Sequence, residues 1–172
     1  AALVLTAAAA RGQMLAAGTQ ELGVDGLVDF DSAEGTLVEG DLSYGFFLYD
    51  YTEILGRVGF RDSDNHSLWS LGLSSEYSFD MASAIVPYSG IGISLANYES
   101  QHFDADDGAT VKKDGVAVIF GLEGGLKCFL TENVALSGAL VLKVATEDLY
   151  LEEDGLSDTD ARMEFGLRYF FY

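Results

Sequence analysis

The chain has 172 residues, with 9 Lys and Arg against 28 Asp and Glu, for a net charge of −19. That balance excludes a nucleic-acid surface, which needs clustered positive charge. A single Cys, Cys128, excludes an internal disulfide framework and any multi-Cys metal site, and no run of about 18 apolar residues is present to form a transmembrane helix. The length fits one domain with a sizeable core, and a Gly-rich chain (20 Gly) with one Pro suits β structure.

The first stretch, "AALVLTAAAA" followed by Arg11 and "MLAAG", has the apolar run and small residues of a secretory signal peptide. Residues 1–18 are read as a signal-peptide remnant, with a retained Ala-rich helix as the alternative, and residues 19–172 as the folded domain. From Thr19 the chain alternates with period two in eight segments. "TQELGVDGLVDF" sets Leu22, Val24, Val28 and Phe30 against Glu21, Asp25 and Asp29. "TLVEGDLSYGFFL" sets Val38, Leu42, Tyr44, Phe46 and Leu48 against Glu39, Asp41 and Ser43. "EILGRVGFR" sets Ile54, Val58 and Phe60 against Glu53, Arg57 and Arg61. "LWSLGLSSEYSF" sets Trp69, Leu71, Leu73, Tyr77 and Phe79 against Ser70, Ser74, Glu76 and Ser78.

The fifth segment, "PYSGIGISLANY", alternates Ile91, Ile93 and Leu95 with Gly90, Gly92 and Ser94. In "GVAVIFGLEGGLKCF", Val116, Val118, Phe120, Leu122, Leu126 and Cys128 oppose Gly121, Glu123 and Lys127. In "NVALSGALVLKVAT", Val134, Leu136, Leu140, Leu142 and Val144 oppose Ser137 and Lys143. The last, "ARMEFGLRYFFY", sets Ala161, Met163, Phe165, Leu167, Tyr169 and Phe171 against Arg162, Glu164, Gly166 and Arg168. Eight segments make an even count, and each is long enough to cross a bilayer as a tilted strand. Odd-numbered connections are acidic ("DSAEG", "DSDNH", "ESQHFDADDGATVKKD", "EDLYLEEDGLSDTD"), while even-numbered ones ("YDYT", "DMASAIV", "FLTE") are shorter on average and more apolar. Sorting by parity gives a cylinder two ends of different character. The predicted fold is therefore all-β: an eight-stranded antiparallel up-and-down transmembrane β-barrel.

Alternation alone does not say which face points to lipid. A soluble barrel would put its apolar face inside, and a soluble ligand-binding barrel is one alternative. Here the polar face is short of bulk, with Gly, Ser and Ala between isolated charges, which suits a narrow lumen better than a solvated exterior. Aromatic residues near segment ends, Tyr44, Phe46, Tyr77, Phe79, Tyr169 and Phe171, fit an interfacial girdle. The inward charges Glu21, Glu39, Glu53, Glu76, Glu123 and Glu164 are expected to pair with Arg57, Arg61, Lys127, Lys143, Arg162 and Arg168, and Glu53, Arg57 and Glu76 to form a cross-strand cluster. Eight strands leave room only for side chains, so a filled lumen is expected over a small-solute pore.

Three stretches carry a family resemblance. "MASAIVPYSGIGIS" (81–94) resembles the turn and Pro-Tyr-x-Gly-x-Gly strand opening of the OmpA/OmpX-like outer-membrane β-barrel families. "GLKCFLTENVALSG" (125–138) is similar to their strand, "F-L-T/S-x-N" turn and next strand. "FGLRYFF" (165–171) resembles the carboxy-terminal signal read by the outer-membrane assembly machinery, with Gly166, Leu167, Tyr169 and Phe171 matching it. Tyr172 lies one residue past the usual end, and the alternation turns it inward. The resemblance implies insertion in a bacterial outer membrane, contact with lipid and lipopolysaccharide, and loops 97–114 and 146–160 outside the cell for an extracellular partner.

Catalysis is not expected. His66 adjoins Ser67, and adjacent strand residues point to opposite faces, so a His–Ser pair cannot form there; a lipid-modifying enzyme using His66 or His102 is the alternative. "DADDG" (104–108) and "EEDGLSDTD" (152–160) lack the spaced ligands of a twelve-residue Ca²⁺ loop and read as solvated acidic segments. No cofactor, metal or nucleic acid is expected, and the role is structural or interactive.

Overall fold

A computed structural model describes residues 15–32, 35–63, 66–81, 83–104, 109–152 and 155–172. Its strands are β1 (Gln20–Ser32), β2 (Gly35–Tyr49), β3 (Thr52–Asp62), β4 (His66–Ser78), β5 (Ile85–Asp104), β6 (Ala109–Phe129), β7 (Val134–Ala145), β8 (Tyr150–Glu152), β9 (Gly155–Ser157) and β10 (Thr159–Phe171). Eight of them close in the order β1-β10-β7-β6-β5-β4-β3-β2, each antiparallel to its neighbours. Closure through Gln20↔Phe171 to Gly26↔Phe165 leaves the sheet no edge. Among the described residues no helix is long and apolar enough to cross a membrane.

Burial is inverted relative to a soluble domain. Leu71 and Leu140 are 67% exposed, whereas Lys127 and Glu21 are 0% exposed. An apolar band of this extent is stable only against hydrocarbon. The alternating side chains therefore face lipid with their apolar set and the barrel axis with their charges. At the end that carries the chain termini, Tyr77 and Phe79 meet edge-on at 5.0 Å and Tyr169 and Phe171 stack at 5.8 Å. They mark one interface of the bilayer.

That end has the tight turns. In the β2–β3 turn, Tyr51 has φ 66°, a left-handed conformation that costs a non-Gly residue about 1–2 kcal/mol. Its hydroxyl donates to Asp80 at 2.9 Å, which raises the phenol pKa above its ordinary value, and its ring packs under the barrel. In the β6–β7 turn, Thr131 Oγ1 accepts from the amides of Asn133 (3.3 Å) and Val134 (3.1 Å), and Asn133 Nδ2 donates to the Phe170 carbonyl (2.8 Å). The "FLTEN" stretch thus ties the turn to the last strand.

The opposite end departs from the sequence reading in two places. The stretch 97–114 is mostly ladder, because β5 and β6 keep register from Tyr98↔Gly115 out to Asp104↔Ala109. Strand-forming residues such as Tyr98, Phe103, Thr110 and Val111 let the hairpin outrun the membrane-spanning length. The stretch 146–160 contains the β8–β9 hairpin and the first residues of β10. A third difference is Tyr172, which lies beyond β10 and is 66% exposed. The β1 ladder starts at Gln20↔Phe171, so no pairing turns the residue after Phe171 inward. Residues 1–14 lie outside the described part, but Leu15 is buried at the base of the barrel and accepts a hydrogen bond from the Tyr51 amide.

Candidate functional site

The lumen is layered. At the turn end, Leu15, Phe47, Val86, Phe129, Ala135 and Phe170 form an apolar plug, with Phe170 centred 5.2 Å from Phe129 and 6.4 Å from Phe47. Parity puts Phe47, Phe129 and Phe170 on the inward face, where three large rings fill a cross-section that smaller inward residues leave open elsewhere.

Above the plug lies a charged layer built by β1, β3, β4, β6 and β10. Lys127 Nζ is 2.9 Å from Glu21, 2.6 Å from Glu53 and 3.0 Å from Glu76. The Tyr88 and Phe170 rings lie 5.1 and 5.7 Å from the same ammonium, so its open side meets π faces rather than water. Arg168 binds Glu21 and Asp25, each at 3.0 Å, and donates to Ser43 and Ser137 at 3.2 Å. Arg57 bridges Glu76 (2.6 Å) and Glu123 (2.7 Å). Gly23 makes this possible: a Cβ there would sit 2.7 Å from Arg168 Nη1 and against Ser43 Oγ. Gly23→Val is therefore expected to lower stability by about 1–3 kcal/mol through overpacking. Urea-dependent insertion into vesicles, followed by the fluorescence of lipid-facing Trp69, measures it.

A second charged layer follows toward the loop end. Arg162 binds Glu39, Glu164 (2.9 Å) and Asp160 (2.6 Å). Lys143 reaches Glu164 at 3.2 Å and Glu39 at 3.7 Å, and Arg61 lies 3.6 Å from Asp160 and 4.0 Å from Glu39. The top is closed by Leu68, Ala96, Tyr98, Ala117, Ile119, Ala145, Leu149 and Tyr150, all buried. Leu149 and Tyr150 come from the β7–β10 connection, which folds into the mouth, with the Arg61 guanidinium 5.8 Å from the Tyr150 ring. A cavity of about 80 Å³ runs beside the second layer, from Arg57 and Glu123 of the first layer to Leu68 and Tyr150 of the cap, walled on β4, β5 and β6 by Ser70, Gly72, Ser74, Gly92, Ser94 and Gly121.

The twelve charged residues singled out in the sequence all lie inside, in these two layers. The expected Glu53–Arg57–Glu76 cluster is joined through Lys127, which binds both Glu53 and Glu76, while Arg57 binds Glu76 and Glu123 and not Glu53. The structure also adds Asp25, Asp41 and Asp160 to the lumen. Asp25 and Asp41 stand on the polar face by parity, so that signal was readable; Asp160 sits inside an acidic connection and gave none. Gly166, Leu167, Tyr169 and Phe171 lie on β10, with Leu167 and Tyr169 facing lipid. His66 pairs in register with Ser100 and His102 with Val111, and their side chains lie outside the described part, as do residues 105–108 and 153–154.

A closed barrel with lipid-facing aliphatics and a charge-paired lumen is the architecture of a small outer-membrane barrel. The chain is similar to the N-terminal β-barrel domain of Pseudomonas aeruginosa OprF, at 19% identity and a TM-score of 0.57, over 90% of this chain and 98% of that one. Neisserial surface protein A is similar at 17% identity and a TM-score of 0.61, over 88% and 94%. A de novo designed transmembrane β-barrel is similar at 15% identity and a TM-score of 0.54, over 90% and 97%. No curated protein sequence matches the chain. A family model, "Opacity family porin protein", matches residues 45–171 and refines the resemblance to OmpA/OmpX-like barrels. The chain belongs to the Opacity family of porin proteins and is a β-barrel of the bacterial outer membrane.

Proposed function

We propose that this barrel is a non-enzymatic surface-interaction protein whose working part is its loop end, and that it engages positively charged polypeptide surfaces. The observation that carries the reading is the asymmetry of its ends. The lumen between them is filled with paired charge and capped by apolar residues, so among the described residues it offers no open path. Six of the chain's 9 basic residues are inside it. The loop end displays Asp62, Glu99, Asp114, Glu147, Asp148 and Asp158 as exposed acids, and the acidic connections supply Lys112 and Lys113 as their basic residues. Such a one-signed surface attracts cations over about a Debye length, ~8 Å at physiological salt.

Proteoliposomes carrying the barrel are expected to bind poly-L-lysine more weakly after Glu99→Gln, Asp114→Asn, Glu147→Gln and Asp148→Asn are combined, with the difference vanishing at 1 M salt. Equal binding at low salt would count against this role. Planar bilayers containing the folded barrel are expected to stay silent, and stepwise current would replace the interaction reading with a pore.

Two membrane partners complete the proposal: outer-membrane lipid with lipopolysaccharide around the apolar band, and the assembly machinery reading Gly166, Leu167, Tyr169 and Phe171. Phe171→Ala is expected to reduce the amount assembled in cells while leaving refolding into detergent unchanged. Comparing the heat-modified gel band in both settings tests this.

A further inference from the structure

We propose that the protein is processed before Leu15 rather than after Gly18, and that residues 15–19 stay in the mature chain as the stopper of the turn end. As sequence alone, residues 1–18 read as a leader, and Ala16 and Gly18 supply the small residues that a cut after Gly18 would use. The barrel, however, is built around residues on the leader side of that boundary. Leu15 is 2% exposed and belongs to the apolar cluster of Phe47, Val86, Phe129, Ala135 and Phe170 that seals the base. Residues ahead of a first strand ordinarily fray, because nothing offsets the entropy lost on ordering them. Here the burial of a Leu side chain does so.

Backbone pairing ties the segment to β2 and the β2–β3 turn. The Tyr51 amide donates to the Leu15 carbonyl (2.6 Å), the Gly18 amide to the Phe47 carbonyl (2.9 Å) and the Phe47 amide to the Thr19 carbonyl (2.9 Å). The Thr19 amide donates to the Ala16 carbonyl (3.1 Å), and the Ala17 amide to Asp50 Oδ1 (2.9 Å). Gly18 lies at φ 93°, where a side chain is strained, and this reversal returns Leu15 to the cluster. A leader needs an apolar run and small residues at its end. It has no need of a left-handed Gly bonded to Phe47, or of a Leu that completes a ring cluster in the folded barrel. Cutting after Gly18 would take the Leu15 carbonyl from the Tyr51 amide and uncover Phe47, Phe129 and Phe170 to water.

Upstream of Leu15 the sequence offers a suitable bond. The Ala-rich apolar run ends at Ala10, and Ala10 and Gly12 are the third and first residues before the Gly12–Gln13 bond. Hydrolysis by the leader peptidase adds water across that bond, leaving a carboxylate on Gly12 and an amine on Gln13. The mature chain then begins shortly ahead of the stopper.

Intact mass and amino-terminal sequencing of the barrel purified from washed outer membranes test the cut. Gln13 is the expected first residue, and any start from Arg11 to Leu15 supports a retained stopper. A start after Leu15, or a chain still carrying residues 1–10, overturns the proposal. Hydrogen exchange of the same barrel in detergent tests the stopper. The Gly18 and Tyr51 amides are expected to be protected about a hundredfold or more over an unfolded chain. Leu15→Ala is expected to speed their exchange about tenfold while the Leu71 amide stays unchanged. Wild-type amides that exchange at the unfolded rate, or a folded Leu15→Ala with wild-type rates, overturn the stopper. Should Leu15→Ala not fold, the wild-type rates decide.

Discussion

Replacing Lys127 with Met is expected to destabilise the barrel by about 3–5 kcal/mol, the scale of breaking a buried ion network from one side. The ammonium is 0% exposed and is the one cation within 3.0 Å of all three of Glu21, Glu53 and Glu76. Glu21 and Glu76 keep Arg168 and Arg57, but Glu53 has Lys127 as its ion-pair partner among the described residues. Met conserves the volume and the stem, so the loss isolates charge from packing. The double variant Lys127→Met with Glu53→Gln is then expected to recover part of the loss, since it removes the stranded carboxylate as well. Urea unfolding from phospholipid vesicles, read by gel shift and Trp69 fluorescence, measures both. Equal stability of Lys127→Met and wild type would mean that water reaches this layer freely.

Phe170→Ala is expected to cost a similar about 3–5 kcal/mol, for a different reason. Its ring is the central member of the turn-end plug, against Phe47 and Phe129, and it covers the Lys127 ammonium. Deletion leaves a cavity at the base of the charged layer that water enters from the turn end, weakening the ion pairs above it. Phe170→Leu should lose less than half as much, because it keeps the seal. Conductance is expected to stay absent in Phe170→Ala, as both charged layers and the Leu149–Tyr150 cap remain. Current in this single variant would show that the plug alone holds the channel shut.

Much of this molecule was legible before any coordinates. Period-two alternation placed Leu71, Ile91, Leu140 and Phe165 on one face and Glu21, Lys127 and Arg168 on the other, and the eight barrel strands occupy those segments. Face is a local property, since successive side chains on a strand point oppositely whatever the neighbours are. The sparse polar face also carried the choice between lipid and water for the apolar one. The loop end was less legible: the continuing β5–β6 ladder and the β8–β9 hairpin arise from pairing that acidic composition does not report.

By itself, then, the sequence determined an inside-out barrel, its strand number, and the inward face of the charges on its alternating segments, though not the entry of Asp160 into the lumen. Partner choice belonged to the tertiary structure. Lys127 meets Glu21 across 106 residues of chain and Arg168 meets it across 147, while Arg57 passes over Glu53, four residues away on its own strand, for Glu123. Parity gives a side chain its face, but its height along the axis comes from the register of every strand pair around the ring. Only closure through β1 and β10 sets those heights together, and with them which carboxylates find a base and which, like Asp41, do not among the described residues.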